Sequence, residues 1–277
     1  MKLRAGYELI YNFPQPTPLI LVVNVHESRK SDIVEPDTLT TEPAMPISAY
    51  RDALGNQCHR VLAPAGRCRL TADCVVEDSG QPDEIVAAAG QHSVEDLPPE
   101  TLAFLLGSRY CETDLLSDVA WQLFSGTPRG YPLVQAICDY VHNHISFNYQ
   151  NASSTRTAAE VFRGRTGVCR DYTHLAVALC RCMNIPARYC TGYLSDIGTP
   201  LPYPAGDFAA WFEAWIGGAW HMFDPRNNVP RIGRILMARG RDASDVAIAT
   251  TFGPNTLESF RVWTEEYAAI AFSAGAC

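Results

Sequence analysis

Gly164-Arg165-Thr166-Gly167-Val168-Cys169-Arg170-Asp171-Tyr172 runs into the apolar stretch Leu175-Ala176-Val177-Ala178-Leu179. Glycines bracketing a short polar segment read as a turn, and the apolar run beyond reads as a buried helix. The turn therefore delivers a thiol to a helix start. The first N–H groups of a helix lack intrahelical partners and sit at the positive end of its dipole, which favours an anion. A thiolate is stabilised there, and the N–H groups around Val168 suit the oxyanion of a tetrahedral intermediate. Cys169 is the candidate nucleophile for acyl transfer, with Val168 beside it as a candidate oxyanion position.

Working outward, the pattern predicts a helix from Cys169 to about Met183. Beyond it, Ala187 to Leu194 has strand composition, and Ala209–Ile216 and Ala219–Asp224 flank Gly217-Gly218 as a hairpin. Upstream, residues 98–106, 113–124 and 131–141 read as helices, the last two from apolar positions spaced by three and four. Residues 1–85 read as short strands separated by Pro14-Gln15-Pro16-Thr17-Pro18, Asp52-Ala53-Leu54-Gly55-Asn56 and Ala63-Pro64-Ala65-Gly66. The expected division is a β-rich domain over 1–85, a helical connection over 86–130 and a catalytic core over 131–277. The fold class is α+β.

Bulk properties narrow the function. The chain has 277 residues, 47% of them hydrophobic, and a net charge of −8. An acidic chain lacks the basic footprint of a nucleic-acid binder. No apolar run reaches the ~18 residues of a membrane span. The start, Met1-Lys2-Leu3-Arg4-Ala5-Gly6-Tyr7-Glu8, lacks the apolar stretch of an export signal, so a cytoplasmic location is expected. The ten cysteines are then expected to be reduced and mostly buried. Cys180 and Cys182 form a Cys-x-Cys, but no Cys-x-x-Cys pair is present, so neither a metal nor a cofactor is expected.

Several further segments join the cysteine motif: Asn184-Ile185-Pro186-Ala187-Arg188-Tyr189, Gly192-Tyr193, Trp211-Phe212-Glu213 and Trp220-His221-Met222-Phe223-Asp224-Pro225. With Gly167 to Leu175, this set resembles the transglutaminase-like superfamily of cysteine enzymes. More narrowly, it resembles bacterial transglutaminase-like proteins with an N-terminal β-domain. The resemblance implies a papain-like core, in which a helix bearing the cysteine packs on an antiparallel sheet, preceded by a small β-sandwich-like domain. It implies Cys169 as nucleophile and Asp224 as the carboxylate that orients the base. The family's histidine lies two residues before the tryptophan of the Trp-x-Glu segment, and that position here is Ala209. The sequence departs from the family at the general base.

Other histidines are weighed against that gap. His221 stands three residues before Asp224, so strand alternation turns the two side chains to opposite faces. His174 lies five residues along the helix from Cys169, well round its cylinder. His142 and His144 reach the site only if the fold brings them there. Of these, His221 is carried forward as the replacement base. Trp211 and Asn227 are candidates for substrate or oxyanion contact, and Arg231, Arg234, Arg239 and Arg241 form a basic stretch that reads as solvated surface or an anion contact.

The function expected is thiol-dependent acyl transfer, or hydrolysis of an amide or thioester, through a Cys169 acyl-enzyme. The alternative is a degenerate relative that binds a peptide or protein without turnover. The expected partner is a peptide, amide or acyl-thioester substrate, not nucleic acid or membrane. Oligomeric state is left open.

Overall fold

The computed structural model describes residues 1–267 apart from Pro202 and Pro204; Cys277 lies outside the described residues. The Cys169–Cys182 helix runs where the apolar stretch places it, and almost every side chain along it is buried. One face packs on an antiparallel sheet whose strands lie in the order Ala219–Phe223, Ala209–Ile216, Ala187–Leu194, Arg234–Gly240. Helices Thr113–Phe124, Tyr131–His144 and Ala158–Gly164 cover its other sides. Leu175 and Leu179 share one apolar core with Leu116 and Ile137 on the helices and Phe212 and Ile216 on the sheet. The hairpin at residues 209–223 turns at Gly217 and Gly218, at φ 60° and 81°. Two successive positive φ values define the tight turn that matches strand twist, which side chains with a Cβ rarely allow.

The N-terminal strands build two further sheets. One has the order Thr256–Glu266, Lys2–Phe13, Gly66–Glu77, Ile33–Glu35, with Thr40–Glu42 also paired to Gly66–Glu77. The other has the order Ala249–Thr251, Thr17–Leu21, Gln57–Ala63, Ser48–Arg51. Leu3, Leu9, Leu19 and Val61 from these sheets pack directly against Tyr193, Phe208, Ile235 and Met237 of the cysteine-bearing half. The Ala187–Leu194 strand is therefore buried on both faces and shows no alternation.

Residues 249–266 complete the N-terminal sheets. They pair with Thr17–Leu21 and Lys2–Phe13, outside the sheet that carries the 131–277 core expected from sequence. The pairing satisfies the outer row of backbone groups on Lys2–Phe13 and makes Thr256–Glu266 the edge strand of that sheet. The helix expected over 98–106 is confined to Pro99–Leu102. Among the described residues, no helix is long and apolar enough to cross a membrane.

Candidate active site

The turn before Cys169 is held from both sides. Thr166–Gly167 pairs in parallel with Ser146–Phe147, and Arg165 closes the preceding helix in the left-handed region at φ 52°. Asp171 accepts the Val168 N–H at 2.9 Å, which fixes the first turn of the cysteine helix. A Cβ on Gly167 would lie 2.6 Å from the Asp171 Cβ, so only glycine permits this cap. Thr173 Oγ1 donates to the Cys169 carbonyl at 2.9 Å. The Arg170 guanidinium donates to the carbonyls of Ser153, Ser154 and Arg156 and so ties the 153–156 loop to the helix start.

Cys169 is half-buried and faces two adjoining cavities of about 380 and 470 Å³. Asp207, Phe208, Ala209 and Ala210 border both. The first extends past Phe147 and Tyr149 to Asn227 and Arg231, and the second runs past Arg170 and Tyr189 to Ala243 and Phe260. The N–H groups of Ala210 and Arg170 act on the sulfur and favour its thiolate. Val168 places its own N–H on Asp171 instead. The helix start does not lower the thiol's pKa as expected from sequence. Burial pushes it up to about 12, with Asp207 and then Asp224 adding to the rise against the two backbone donors.

None of the seven histidines borders either cavity. His221 pairs across the hairpin with Ala214. His142 Nδ1 lies 3.2 and 3.1 Å from the carbonyls of Pro225 and Arg226, and His144 Nε2 lies 2.8 Å from that of Phe162. His174 is fully buried between the rings of Tyr110 and Tyr189, and its Nε2 accepts the Ala243 N–H at 3.1 Å. Burial, followed by the Arg170 charge, lowers its pKa to about 3, so it stays neutral.

That shift predicts a pH dependence. Unfolded, His174 binds a proton near ~6.5; folded, it binds one only near 3. The unfolded state therefore holds more protons between those values, and stability is lost as pH falls through that window. From pH 7.5 to pH 5 the loss assigned to His174 is about 2 kcal/mol. Urea unfolding at the two pH values should show that slope, with His174→Gln distinctly flatter. An unchanged slope in the variant would remove His174 as its source.

Asp224 is buried and accepts four hydrogen bonds. Oδ1 takes the N–H groups of Arg226 at 3.1 Å and Asn227 at 2.9 Å; Oδ2 takes Asn227 Nδ2 at 2.7 Å and Arg234 Nη2 at 2.6 Å. Burial opposes its charge, but the Arg234 guanidinium and the Asn227 donors outweigh it and hold its pKa below the usual carboxylate value. Asn227 Oδ1 in turn accepts from Arg226 Nη1 and Arg231 Nη1, both at 3.0 Å. The amide at 227 is thus part of the scaffold around Asp224 as well as of the cavity wall.

Trp211, 1% exposed, borders neither cavity and packs in a cluster with Cys190 and Leu236. Most of the basic stretch is not solvated surface; Arg241 alone of the four is exposed. Arg234 is enclosed between Asp224 and Asp83, Arg239 pairs with Glu213, and Arg241 with Asp245. Only Arg231 reaches a cavity at Cys169. Asp207, unmarked by the sequence reading, lies on this wall with its carboxyl accepting Tyr149 Oη at 3.3 Å. It stands two residues ahead of Ala209, just before the Ala209–Ile216 strand begins. Burial raises the Asp207 pKa against the Phe208 N–H and Tyr149 hydrogen bonds. Among the described residues, nine cysteines are free, eight of them buried, and no cluster of potential metal ligands is present.

A family model described as the transglutaminase-like superfamily matches residues 118–225. A crystal structure from Cytophaga hutchinsonii, of a protein described as a candidate cysteine protease, is 32% identical with a TM-score of 0.83. The match covers 97% of this chain and 91% of that one. An uncharacterized protein of Mycobacterium tuberculosis is 28% identical over 235 residues, 75% of this chain and 73% of its own length. One from Mycobacterium leprae is 40% identical over 87 residues, spanning 29% of this chain and only 30% of that relative. The family model takes in both Cys169 and Asp224, and the C. hutchinsonii likeness takes in nearly all of what remains: the chain belongs to the transglutaminase-like superfamily.

Proposed function

We propose that this protein binds a peptide or acyl chain in the cleft across Cys169 and performs thiol-dependent acyl transfer limited to activated acyl groups. One observation carries the reading: Cys169 keeps its helix start, backbone donors and open cleft, while the wall beside it carries the Ala209 methyl and no histidine. Attack on an amide needs a base for the thiol and an acid for the departing amine, help worth about 10²–10⁴-fold. A thioester releases a thiolate that leaves without protonation, so only the first need remains. The acyl-enzyme then passes its acyl group to water or an amine. A second reading, ligand binding with no chemistry, draws on the burial that raises the Cys169 pKa to about 12.

The test is incubation with acyl thioesters and matched amides, followed by peptide mass spectrometry. Acylation at Cys169 by the thioester, slower or absent with the amide and absent in Cys169→Ala, is the expected outcome. No adduct from either, with ligand still bound, would favour pure binding. Rapid hydrolysis of ordinary peptide amides would overturn the restriction to activated groups.

A further inference from the structure

The cavity of about 380 Å³ is lined by Cys169, Ala209 and Asn227, so open space adjoins both the thiol and residue 209. Its polar rim is unevenly engaged. The carboxylate of Asp224 already accepts four hydrogen bonds, and the Asn227 amide oxygen two. Asp207 takes the Tyr149 hydroxyl and its neighbour's N–H, leaving acceptor capacity on a carboxyl with about four lone-pair sites. Arg231, only 9% exposed, borders the same cavity, and its Nε has no partner. A buried guanidinium N–H without an acceptor is costly. The cavity therefore presents a thiol in need of a base, a carboxyl able to hold a ring N–H, and on its wall the positive charge of Arg231, whose Nη atoms already bind Asn227, Ser195 and Asp196.

We propose that this cavity binds an imidazole ring carried by the ligand, as in a histidine-containing peptide, and that the ring serves as the base for Cys169. The inference rests on the acyl-transfer reading above. One ring nitrogen donates to Asp207, and the other takes the proton of the Cys169 thiol. The resulting thiolate attacks the thioester carbonyl, the new S–C bond forms as the C–S bond to the leaving thiolate breaks, and the imidazolium releases the thiol proton to solvent. A carbonyl or carboxylate beside the ring meets Arg231. Neutral imidazole, with a pKa near ~6.5, suits this role at neutral pH.

The experiment measures alkylation of Cys169 by iodoacetamide at pH 7 across a series of imidazole concentrations, then of N-acetylhistidine, on the intact chain. The expected result is a saturable acceleration of tenfold or more. N-acetylhistidine should half-saturate at lower concentration than imidazole, and Ala209→Leu should abolish the effect. A rate that does not change, or that rises linearly without saturation, overturns the imidazole site in wild type alone, whatever the variant does. Equal half-saturation by the two probes overturns the assignment of a peptide ligand held by Arg231. Thioester acylation, read in parallel, separates this inference from the function it rests on. Saturable alkylation without an acyl adduct would sink acyl transfer and leave the imidazole site standing. An adduct with no imidazole response would do the reverse.

Discussion

Ala209→His raises the rate of Cys169 alkylation at pH 7 by about 10²–10⁴-fold. In the wild type burial pushes the thiol's pKa up to about 12, and the two donors acting on it are backbone N–H groups. At pH 7 such a thiol holds its proton, and the thiolate is the nucleophile. An imidazole on residue 209 enters a wall that already borders both cavities at Cys169, so it needs no new space within the core. It accepts the thiol proton and leaves a thiolate–imidazolium pair, the arrangement by which a neighbouring base activates a weak nucleophile. The rate should acquire an inflection in the histidine range that wild type lacks. Cys169→Ala in the same background should show no labelling at that peptide. A rate within a few-fold of wild type would mean that residue 209 does not face the sulfur in solution, and the account of the missing base would fail.

The cysteine turn was legible because local chemistry and global fold agree there. Glycine spacing, the Asp171 cap and a helix buried on nearly all sides point the same way. The hairpin at Gly217-Gly218 was legible for a similar reason, since its turn needs positive φ. The Thr256–Glu266 strand was not legible. Only Val262 on it is buried, so it carries almost no apolar alternation, and its partner is the start of the chain. The arginines misled for a different reason. A run of like charge reads as surface, and only tertiary structure shows that Asp83, far away in sequence, joins Asp224 to enclose Arg234. The rise in the Cys169 pKa was hidden in the same way. The helix start is a local feature, whereas the burial and the carboxyls at 207 and 224 that oppose it come from elsewhere in the chain.

Arg234→Met destabilises the protein by about 3–5 kcal/mol at pH 7, the cost of leaving a buried charge without its partner. Arg234 donates to Asp224 at 2.6 Å and to Asp83 at 2.9 Å, and both Arg234 and Asp224 are almost fully buried. Methionine restores much of the volume, so the loss is electrostatic rather than a cavity. The pH dependence identifies the cause. In wild type the depressed Asp224 pKa contributes stability that is present above the unfolded value of ~3.9 and lost as pH falls through the folded one. In the variant, burial prevails and raises the carboxyl's pKa, so protonation relieves the penalty as pH falls. The gap between variant and wild type should therefore narrow from pH 7 to pH 4.5 in denaturant titrations. Asp224→Asn added to Arg234→Met should recover part of the loss at pH 7. A gap of constant size across that range, with no recovery in the double variant, would show that Arg234 acts through packing alone. The loop at residues 224–228 would then owe its position to something other than charge. Because Asn227 on that loop also walls the cleft, the same titrations repeated on Cys169 alkylation should show whether loosening Asp224 opens the thiol to reagent.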